Sequence, residues 1–157
     1  GLTGGAIPLA VTLCTDPIFD SHYSTDRART FYHSSSYTAN PIACAAANAN
    51  LEIWRDEPVQ QRIDALADAQ AAHLAMLAPD PRVANPRSLG TIAALDIAVR
   101  DGGYLSGLAP RLMAFYRDHG VLLRPLGNTV YVMPPYCITP EELAQVWNAI
   151  AVSLEFG

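Results

Sequence analysis

The pattern of apolar and polar positions divides the chain into a loop-rich first third and a regularly patterned remainder. After an opening loop at residues 1–5, an apolar and β-branched run over residues 7–13 predicts a buried strand. A short helix is expected over residues 18–22, followed by a polar loop rich in serine and threonine over residues 23–38. The alanine-rich run 42–54 then predicts a buried helix.

The second part of the chain alternates helical and strand patterns at short intervals. Residues 56–78 repeat apolar side chains at the spacing of one helix face. Residues 139–154 begin with the Thr-Pro-Glu-Glu sequence that is typical of a capping box at a helix start. The other predicted elements here are a proline-rich loop at 79–86, a strand at 90–99, a helix at 110–119, two strands at 121–124 and 129–133, and the turn 126–128 between them.

This order of elements predicts a mixed α/β fold with a break near the alanine-rich helix, where one domain could hand over to another. Residues 51–157 contain the elements of a compact sheet with helices on one face. Residues 1–50 would then belong to a different domain. The chain opens in a loop that leads straight into a predicted buried strand, which is the pattern expected of a piece of a longer protein.

Composition narrows the classes of partner. Half of the 157 residues are hydrophobic, only 16% are charged and the net charge is -5. Without a run of basic residues, these values argue against nucleic acid or an anionic membrane as a partner. No apolar run approaches the ~20 residues of a membrane helix, so a soluble, cytoplasmic protein is expected. Three widely spaced cysteines indicate small buried hydrophobic residues rather than a disulfide or a metal site: Cys14, Cys44 and Cys137.

Lysine is missing from the chain, since all ten basic residues are arginine. Lysine is the side chain that forms Schiff bases with carbonyl compounds, and no other residue type replaces it in that role. Schiff-base chemistry in this protein would therefore require a residue outside this chain.

The first candidate site is the hydroxyl-rich stretch 33–41, which stands just before the alanine-rich helix. It contains Ser34, Ser35 and Ser36, and its end, Asn40-Pro41, is typical of a helix start. Helix N-termini present free N–H donors and the positive end of the helix dipole, so this stretch could form a phosphate-binding loop. A solvated loop without a ligand is the alternative that the residues alone leave open.

The second candidate site centres on Arg124, which follows the apolar residues 121–123 and precedes a proline. The planar guanidinium of an arginine at the end of an apolar strand suits a carboxylate of a substrate. An ordinary ion pair within the fold is the alternative. Tyr131 and Tyr136 are close by in sequence and could line a pocket for an apolar substrate or simply pack in the core.

Taken together, several stretches resemble the class III aminotransferases, which have the pyridoxal-phosphate (PLP) fold type I. These stretches are LTGG at 2–5, PLAVTL at 8–13, HSSSYTANPIACAAANANLEIW at 33–54, RPLG at 124–127 and YVMPPY at 131–136. The resemblance covers essentially the whole chain. It implies that residues 1–50 are the end of the large PLP-binding domain and that residues 51–157 are the small C-terminal α/β domain.

The resemblance also implies where the cofactor is held. In this family the lysine that forms a Schiff base with PLP stands immediately before the position of Gly1, so no catalytic residue is expected within the chain. The aspartate that pairs with the pyridine nitrogen also lies upstream in the family. The positions of Ser35 and Ser36 bind the PLP phosphate from across a dimer interface, and threonine is usual at the second of them.

The substrate contacts that the resemblance implies involve three residues. The position of Ser34 is commonly glycine in the family and lies against the substrate, so a serine here is a departure from the pattern. Arg124 matches the arginine that binds the substrate carboxylate, and Tyr131 matches a tyrosine of the same pocket. All three are expected to be substrate-binding residues.

Within the class, these stretches are most similar to the members that transfer the amino group of S-adenosylmethionine to 8-amino-7-oxononanoate during biotin biosynthesis. The resemblance implies a cytoplasmic homodimer with its active site at the interface, and it implies that the chain alone is inactive. Two alternatives stay open: a class III aminotransferase acting on an ω-amino acid or a diamine, and a lysine-free fragment that only binds a partner.

Overall fold

The computed structural model describes residues 1–33 and 35–157, and the described residues form helices and one small sheet. The elements in chain order are α1 (Asp16–His22), α2 (Pro41–Asp56), α3 (Val59–Leu77), β1 (Val83–Leu89), β2 (Ile92–Ile97), α4 (Leu108–Asp118), β3 (Thr129–Val132) and α5 (Pro140–Ser153). The chain divides into two compact units, Gly1–Glu57 and Pro58–Gly157. The assignment of residues 1–50 and 51–157 to two domains of a larger fold stays a prediction.

In the first unit, the opening loop is fixed to α2 and to its own backbone. The Asn50 amide donates to the carbonyl oxygens of Gly1 and Leu2, at 3.3 and 3.2 Å. The buried hydroxyl of Thr3 donates to the Ile7 carbonyl at 2.5 Å. The prediction of a buried strand at 7–13 is wrong, because these residues have no strand partner among the described residues and most of them are exposed.

Helix α2 begins where its sequence predicted. The Asn40 side chain accepts a hydrogen bond from the Ile42 N–H at 3.0 Å, and Pro41 occupies the first turn. The expectation that this helix is buried is wrong, since Ala43 is its one buried residue. The described residues of the first unit place no second layer over its alanine-rich faces. The expectation of buried cysteines is also wrong, because all three cysteines are exposed.

The second unit is built around a three-stranded antiparallel sheet with the strand order β1-β2-β3. Side chains alternate along β2 and β3, so that one face of the sheet is buried beneath α3, α4 and α5, as the sequence predicted. The residues that the sheet contributes to this core are Ala93, Leu95, Ile97, Val130 and Val132. The amphipathic face of α3 packs on the same core through Leu66 and Leu74.

Two strand predictions in this unit are corrected. Residues 79–86 were expected to be a loop, but β1 begins at Val83 and includes Pro86. The pairing with β2 shifts between Ala84 and Arg87, and proline is tolerated at such a bulge on an edge strand because no ladder N–H is needed there. Residues 121–124 were expected to be a strand, but they are irregular backbone without a strand partner among the described residues.

The C-terminal helix confirms the predicted capping box. Thr139 Oγ1 accepts from the Glu142 N–H at 3.2 Å, and the Glu142 carboxylate accepts from the Thr139 N–H at 2.9 Å. Two donors that would otherwise lack a helical partner are thereby satisfied. None of the helices formed by the described residues combines the length and the apolar content needed to cross a lipid bilayer.

A buried polar cluster joins α3 and α5, and the helical periodicity did not reveal it. Gln70 is fully buried, and its Oε1 accepts from the Trp147 indole N–H at 2.8 Å. Its amide nitrogen donates to the carbonyl oxygens of Thr91 and Val132, at 3.0 and 3.4 Å. The side chain of Gln70 therefore ties two helices to the ends of β2 and β3.

Replacing Gln70 with leucine is expected to lower the free energy of unfolding by about 1 to 3 kcal/mol, because the Trp147 N–H would be buried without an acceptor. Urea unfolding would measure the loss. In a Trp147→Phe background there is no indole N–H to be left without an acceptor. The same substitution is therefore expected to lower the free energy of unfolding clearly less there. Equal costs in both backgrounds would show that the indole hydrogen bond does not stabilise the fold.

Candidate functional site

In the first unit, Ser35 organises a tight turn just before α2. Its backbone N–H donates to Thr38 Oγ1 at 3.1 Å, and its own hydroxyl oxygen accepts from the Tyr37 N–H at 3.1 Å. Ala39 has a positive φ of 55°, which lets the chain reverse into the Asn40 cap. The predicted hydroxyl-rich approach to a helix N-terminus is therefore a folded turn.

Ser36 lies at the exposed tip of this turn. Toward the described residues its hydroxyl makes no hydrogen bond, so it is free to rotate toward a ligand. Ser35 accepts through its oxygen and still has its hydroxyl proton to donate. Each of the two hydroxyls therefore has a proton that it can donate to an anionic oxygen. Ser34, which was predicted to contact the substrate, lies outside the described residues, and its role stays a prediction.

In the second unit, Arg124 lies on the irregular segment that leads from α4 to β3. Its side chain is exposed, and no carboxylate among the described residues pairs with it. The next residue, Pro125, is buried, so the backbone is held in place while the guanidinium reaches outward. The described part of the chain thus gives no support to the alternative of an internal ion pair.

A tight turn connects Arg124 to β3, as the sequence predicted. Leu126 and Thr129 exchange two backbone hydrogen bonds, of 2.9 and 3.1 Å, across this turn. Arg124 stands two residues before the bridged pair and Tyr131 two residues after it, so the two flank the same turn. Tyr131 is half-buried and pairs with Ala94 of β2, on the sheet face opposite the core.

The turn is seated directly against another loop of the second unit. Gly127 has a φ of +65°, and a Cβ at this position would overlap the carbonyl group of Gly103 and lie 2.9 Å from the carbonyl carbon of Tyr104. Asn128 Oδ1 accepts from the Gly103 N–H at 2.6 Å, and Asn128 Nδ2 donates to the Ile97 carbonyl at 2.9 Å. The turn is therefore fixed to the end of β2 and to the loop that follows it.

Thr129 fixes the other side of the turn through Asp96. The Thr129 hydroxyl donates to Asp96 at 2.7 Å, and Asn85 and Arg87 donate to the same carboxylate at 2.9 and 3.1 Å. Partial burial by itself raises the pKa of Asp96, but these three hydrogen bonds outweigh it and hold the pKa below its ordinary value. The carboxylate is therefore ionised at neutral pH and remains an acceptor for Thr129.

A cavity of about 610 Å³ lies elsewhere in the second unit, between the segment after α4 and the start of α5. Its lining includes Leu122, Leu123, Met133 and Ile138, but neither Arg124 nor Tyr131. The predicted pocket around Arg124 and Tyr131 is therefore a different surface, and its walls stay a prediction.

Sequence reasoning missed the residues that hold Arg124 in place. Asn128 appeared in the sequence only as a residue of a turn, and nothing in its spacing linked it to Gly103 or Ile97. Asp96 looked like one polar position in an alternating strand. The available signals were two glycines: Gly127, where a Cβ would overlap the Gly103 carbonyl group, and Gly102, where a Cβ would lie 3.2 Å from the Asn128 side chain.

Known proteins of one class match nearly the whole chain. The family model described as "Aminotransferase class-III" matches residues 1–154. A Synechococcus elongatus protein named adenosylmethionine-8-amino-7-oxononanoate aminotransferase is 46% identical over 155 residues, which are 99% of this chain and 36% of that protein. The chain therefore spans about a third of the length of the relatives that it matches.

Two solved structures share the fold of the described residues. The adenosylmethionine-8-amino-7-oxononanoate aminotransferase of Methanocaldococcus jannaschii superposes with a TM-score of 0.88 at 30% identity, covering 99% of this chain and 37% of that one. An (S)-enantioselective omega-transaminase of Thermomicrobium roseum superposes with a TM-score of 0.82 at 26% identity, covering 99% and 35%. With a family model matched along nearly its whole length and relatives of the same class in sequence and structure, the chain belongs to the class III aminotransferases.

Proposed function

We propose that the whole protein containing this chain transfers the amino group of S-adenosylmethionine to 8-amino-7-oxononanoate, giving 7,8-diaminononanoate for biotin biosynthesis. The observation that carries the proposal is the 46% identity with a protein of that name over nearly the whole chain. The fold alone does not separate this reaction from other transaminations, because an omega-transaminase shares it. A class III aminotransferase acting on an ω-amino acid or a diamine is the second candidate.

Arg124 is the residue of this chain that we assign to the acceptor substrate. Its guanidinium is exposed and has no acidic partner among the described residues, so it can form a bidentate pair with an incoming carboxylate. Tyr131 flanks the same turn, and its ring offers an apolar wall beside that pair. Together they would orient the chain of 8-amino-7-oxononanoate with its carboxylate at Arg124.

The cofactor of the proposed reaction is PLP, which supplies an electron sink for carbanion chemistry when bound. The turn before α2 fits its phosphate, since it stands next to a helix N-terminus and both serines can donate: the Ser36 hydroxyl has no partner among the described residues, and Ser35 uses its hydroxyl only as an acceptor toward them. The chain itself contains no lysine to hold the carbonyl of PLP. We therefore propose that this chain alone is inactive.

The reaction is tested on the purified whole protein by supplying 8-amino-7-oxononanoate with one amino donor at a time. S-adenosylmethionine is expected to support formation of 7,8-diaminononanoate, and diamines or ω-amino acids to support it poorly. No use of 8-amino-7-oxononanoate with any donor, together with turnover of an ω-amino acid or a diamine when a 2-oxo acid such as pyruvate is supplied as the acceptor, would establish the second candidate instead.

Replacing Ser35 and Ser36 with alanine is expected to weaken PLP binding by the whole protein. Hydrogen bonds to a charged group contribute about 1.5 to 3 kcal/mol each, which for two bonds corresponds to at least a hundredfold rise in Kd. Equilibrium dialysis of PLP measures the change without any assay of turnover. Thr38→Val, which removes a hydroxyl that accepts within the turn, is the matched control for loss of the turn itself. An unchanged Kd in the double variant would contradict the phosphate assignment.

We further propose a cytoplasmic homodimer whose active site lies at the interface, with the Ser35–Ser36 turn reaching the cofactor of the neighbouring subunit. The exposed tip of this turn is consistent with such a role. The proposal is tested by mixing the Ser35/Ser36 double variant with a variant that lacks the Schiff-base lysine. A mixed dimer would contain one site with both the lysine and the serines, so the mixture is expected to be more active than either variant alone. A monomeric active protein in sedimentation would contradict the proposal.

A further inference from the structure

Among the side chains that hold the turn after Arg124, Asn128 is the one that joins the turn to two other segments. Asn128 accepts from Gly103, donates to Ile97, and exchanges a third contact through its own carbonyl, which accepts from the Ile97 N–H at 2.8 Å. It therefore fixes the turn to the last residue of β2 and to the loop 101–107. Both polar atoms of its carboxamide, Oδ1 and Nδ2, therefore form a hydrogen bond within the fold.

We infer that Asn128 is a positioning residue for Arg124, acting through the backbone of the turn, and that it thereby sets the affinity for the carboxylate of the acceptor substrate. This inference rests on the proposed function of Arg124. The need for such a residue follows from the surroundings of Arg124, whose guanidinium has no acidic side chain among the described residues to orient it. The backbone that carries it must supply the placement.

The geometry supports this division of roles. Pro125 is buried and its ring restricts φ, and Gly127 lies directly against the Gly103 carbonyl group. The backbone of the turn therefore has little conformational freedom. The Asn128 side chain holds the turn in this position through its hydrogen bonds to Gly103 and Ile97. A shift of about 1 Å in a binding group is enough to reduce a rate on the order of a hundredfold, so loss of these hydrogen bonds should be visible in kinetics.

The test is a double-mutant cycle on the whole protein with Asn128→Ala, Arg124→Ala and the two combined. Asn128→Ala is expected to raise KM for 8-amino-7-oxononanoate about tenfold, with kcat/KM for S-adenosylmethionine changed less than twofold. In the Arg124→Ala background, Asn128→Ala is expected to change the keto-acid half-reaction less than twofold, because no guanidinium remains to be positioned.

Two further variants separate positioning from general stability. Gln145→Ala removes a hydrogen bond of the same kind, from a side chain to the His119 carbonyl, and is expected to leave both half-reactions unchanged. Gly102→Ala keeps the asparagine at position 128 but adds a Cβ that would lie 3.2 Å from its side-chain amide nitrogen. This tight contact is expected to raise KM for the keto acid two- to threefold, and it gives a second measurement if Asn128→Ala does not fold.

The outcomes are distinct. A tenfold further loss from Asn128→Ala in the Arg124→Ala background, or equal losses in both half-reactions, would overturn the positioning role while leaving Arg124 as the carboxylate-binding residue. If Arg124→Ala itself does not impair the keto-acid half-reaction selectively, the proposed function of Arg124 fails and this inference fails with it. A selective loss with Asn128→Ala that vanishes in the absence of Arg124 supports both.

Discussion

Replacing Arg124 with alanine in the whole protein is expected to lower kcat/KM for 8-amino-7-oxononanoate by about 30- to 5,000-fold. This range corresponds to a loss of about 2 to 5 kcal/mol, the usual cost of leaving a bound charged group without its partner. The substrate carboxylate would lose water on entering the site and gain no guanidinium in return. The half-reaction with S-adenosylmethionine is expected to change much less, because Arg124 is assigned to the carboxylate of the acceptor and not to the amino donor.

Arg124→Lys is the matched variant for this prediction. Lysine keeps the positive charge but not the planar pair of donors, so it is expected to restore part of the loss and not all of it. Stopped-flow measurement of each half-reaction separates the effects on the two substrates. Equal losses in both half-reactions, or none in either, would make Arg124 a structural residue and would remove the pocket assignment that includes Tyr131.

The sequence predicted best those elements whose signals are local. The capping box at Thr139 and the Asn40-Pro41 start of α2 were predicted because the residues that make the cap are close in sequence. The amphipathic face of α3 and the alternation of β2 also appear as periodicity within one element. These features depend on neighbouring residues, and the rest of the fold changes them little.

Predictions of burial and of strand pairing failed where they depended on distant parts of the chain. Residues 7–13 have the composition of a buried strand, but a strand exists only beside another strand, and the described residues provide none there. Pro86 argued for a loop, although the shifted pairing at Ala84 and Arg87 accepts it within β1. Apolar composition in α2 indicated burial, yet burial requires a covering layer.

The candidate site shows the same division. Ser35, Ser36 and Arg124 could be proposed from residue type and from resemblance, because each stands at a recognisable element boundary. The residues that hold the turn beyond Arg124 could not, because the contacts of Asn128 cross 25 and 31 positions of sequence. A turn motif states how the chain reverses and does not state against which surface the turn is seated.

The seating of this turn also makes Gly127 the position of the second large effect. Gly127→Ala is expected to destabilise the region around the turn by about 3 to 5 kcal/mol, for two reasons that add. A φ of +65° costs a residue with a Cβ about 1 to 2 kcal/mol. The Cβ would also overlap the backbone carbonyl group of Gly103, and backbone on both sides must move to relieve the overlap.

Gly90→Ala is the control that separates the two contributions. Gly90 has a similar φ of +55°, but a Cβ there would meet nothing within 4 Å. It is therefore expected to show the conformational cost alone, about 1 to 2 kcal/mol. Native-state hydrogen exchange over residues 97–107 measures the local free energy of opening, and Gly127→Ala should lower it well beyond Gly90→Ala.

Because the displaced turn carries Arg124, KM for the keto acid should rise in Gly127→Ala and stay unchanged in Gly90→Ala. Equal effects of the two substitutions would mean that the turn can leave its seat on Gly103 at little cost, and the placement of Arg124 would then need another explanation.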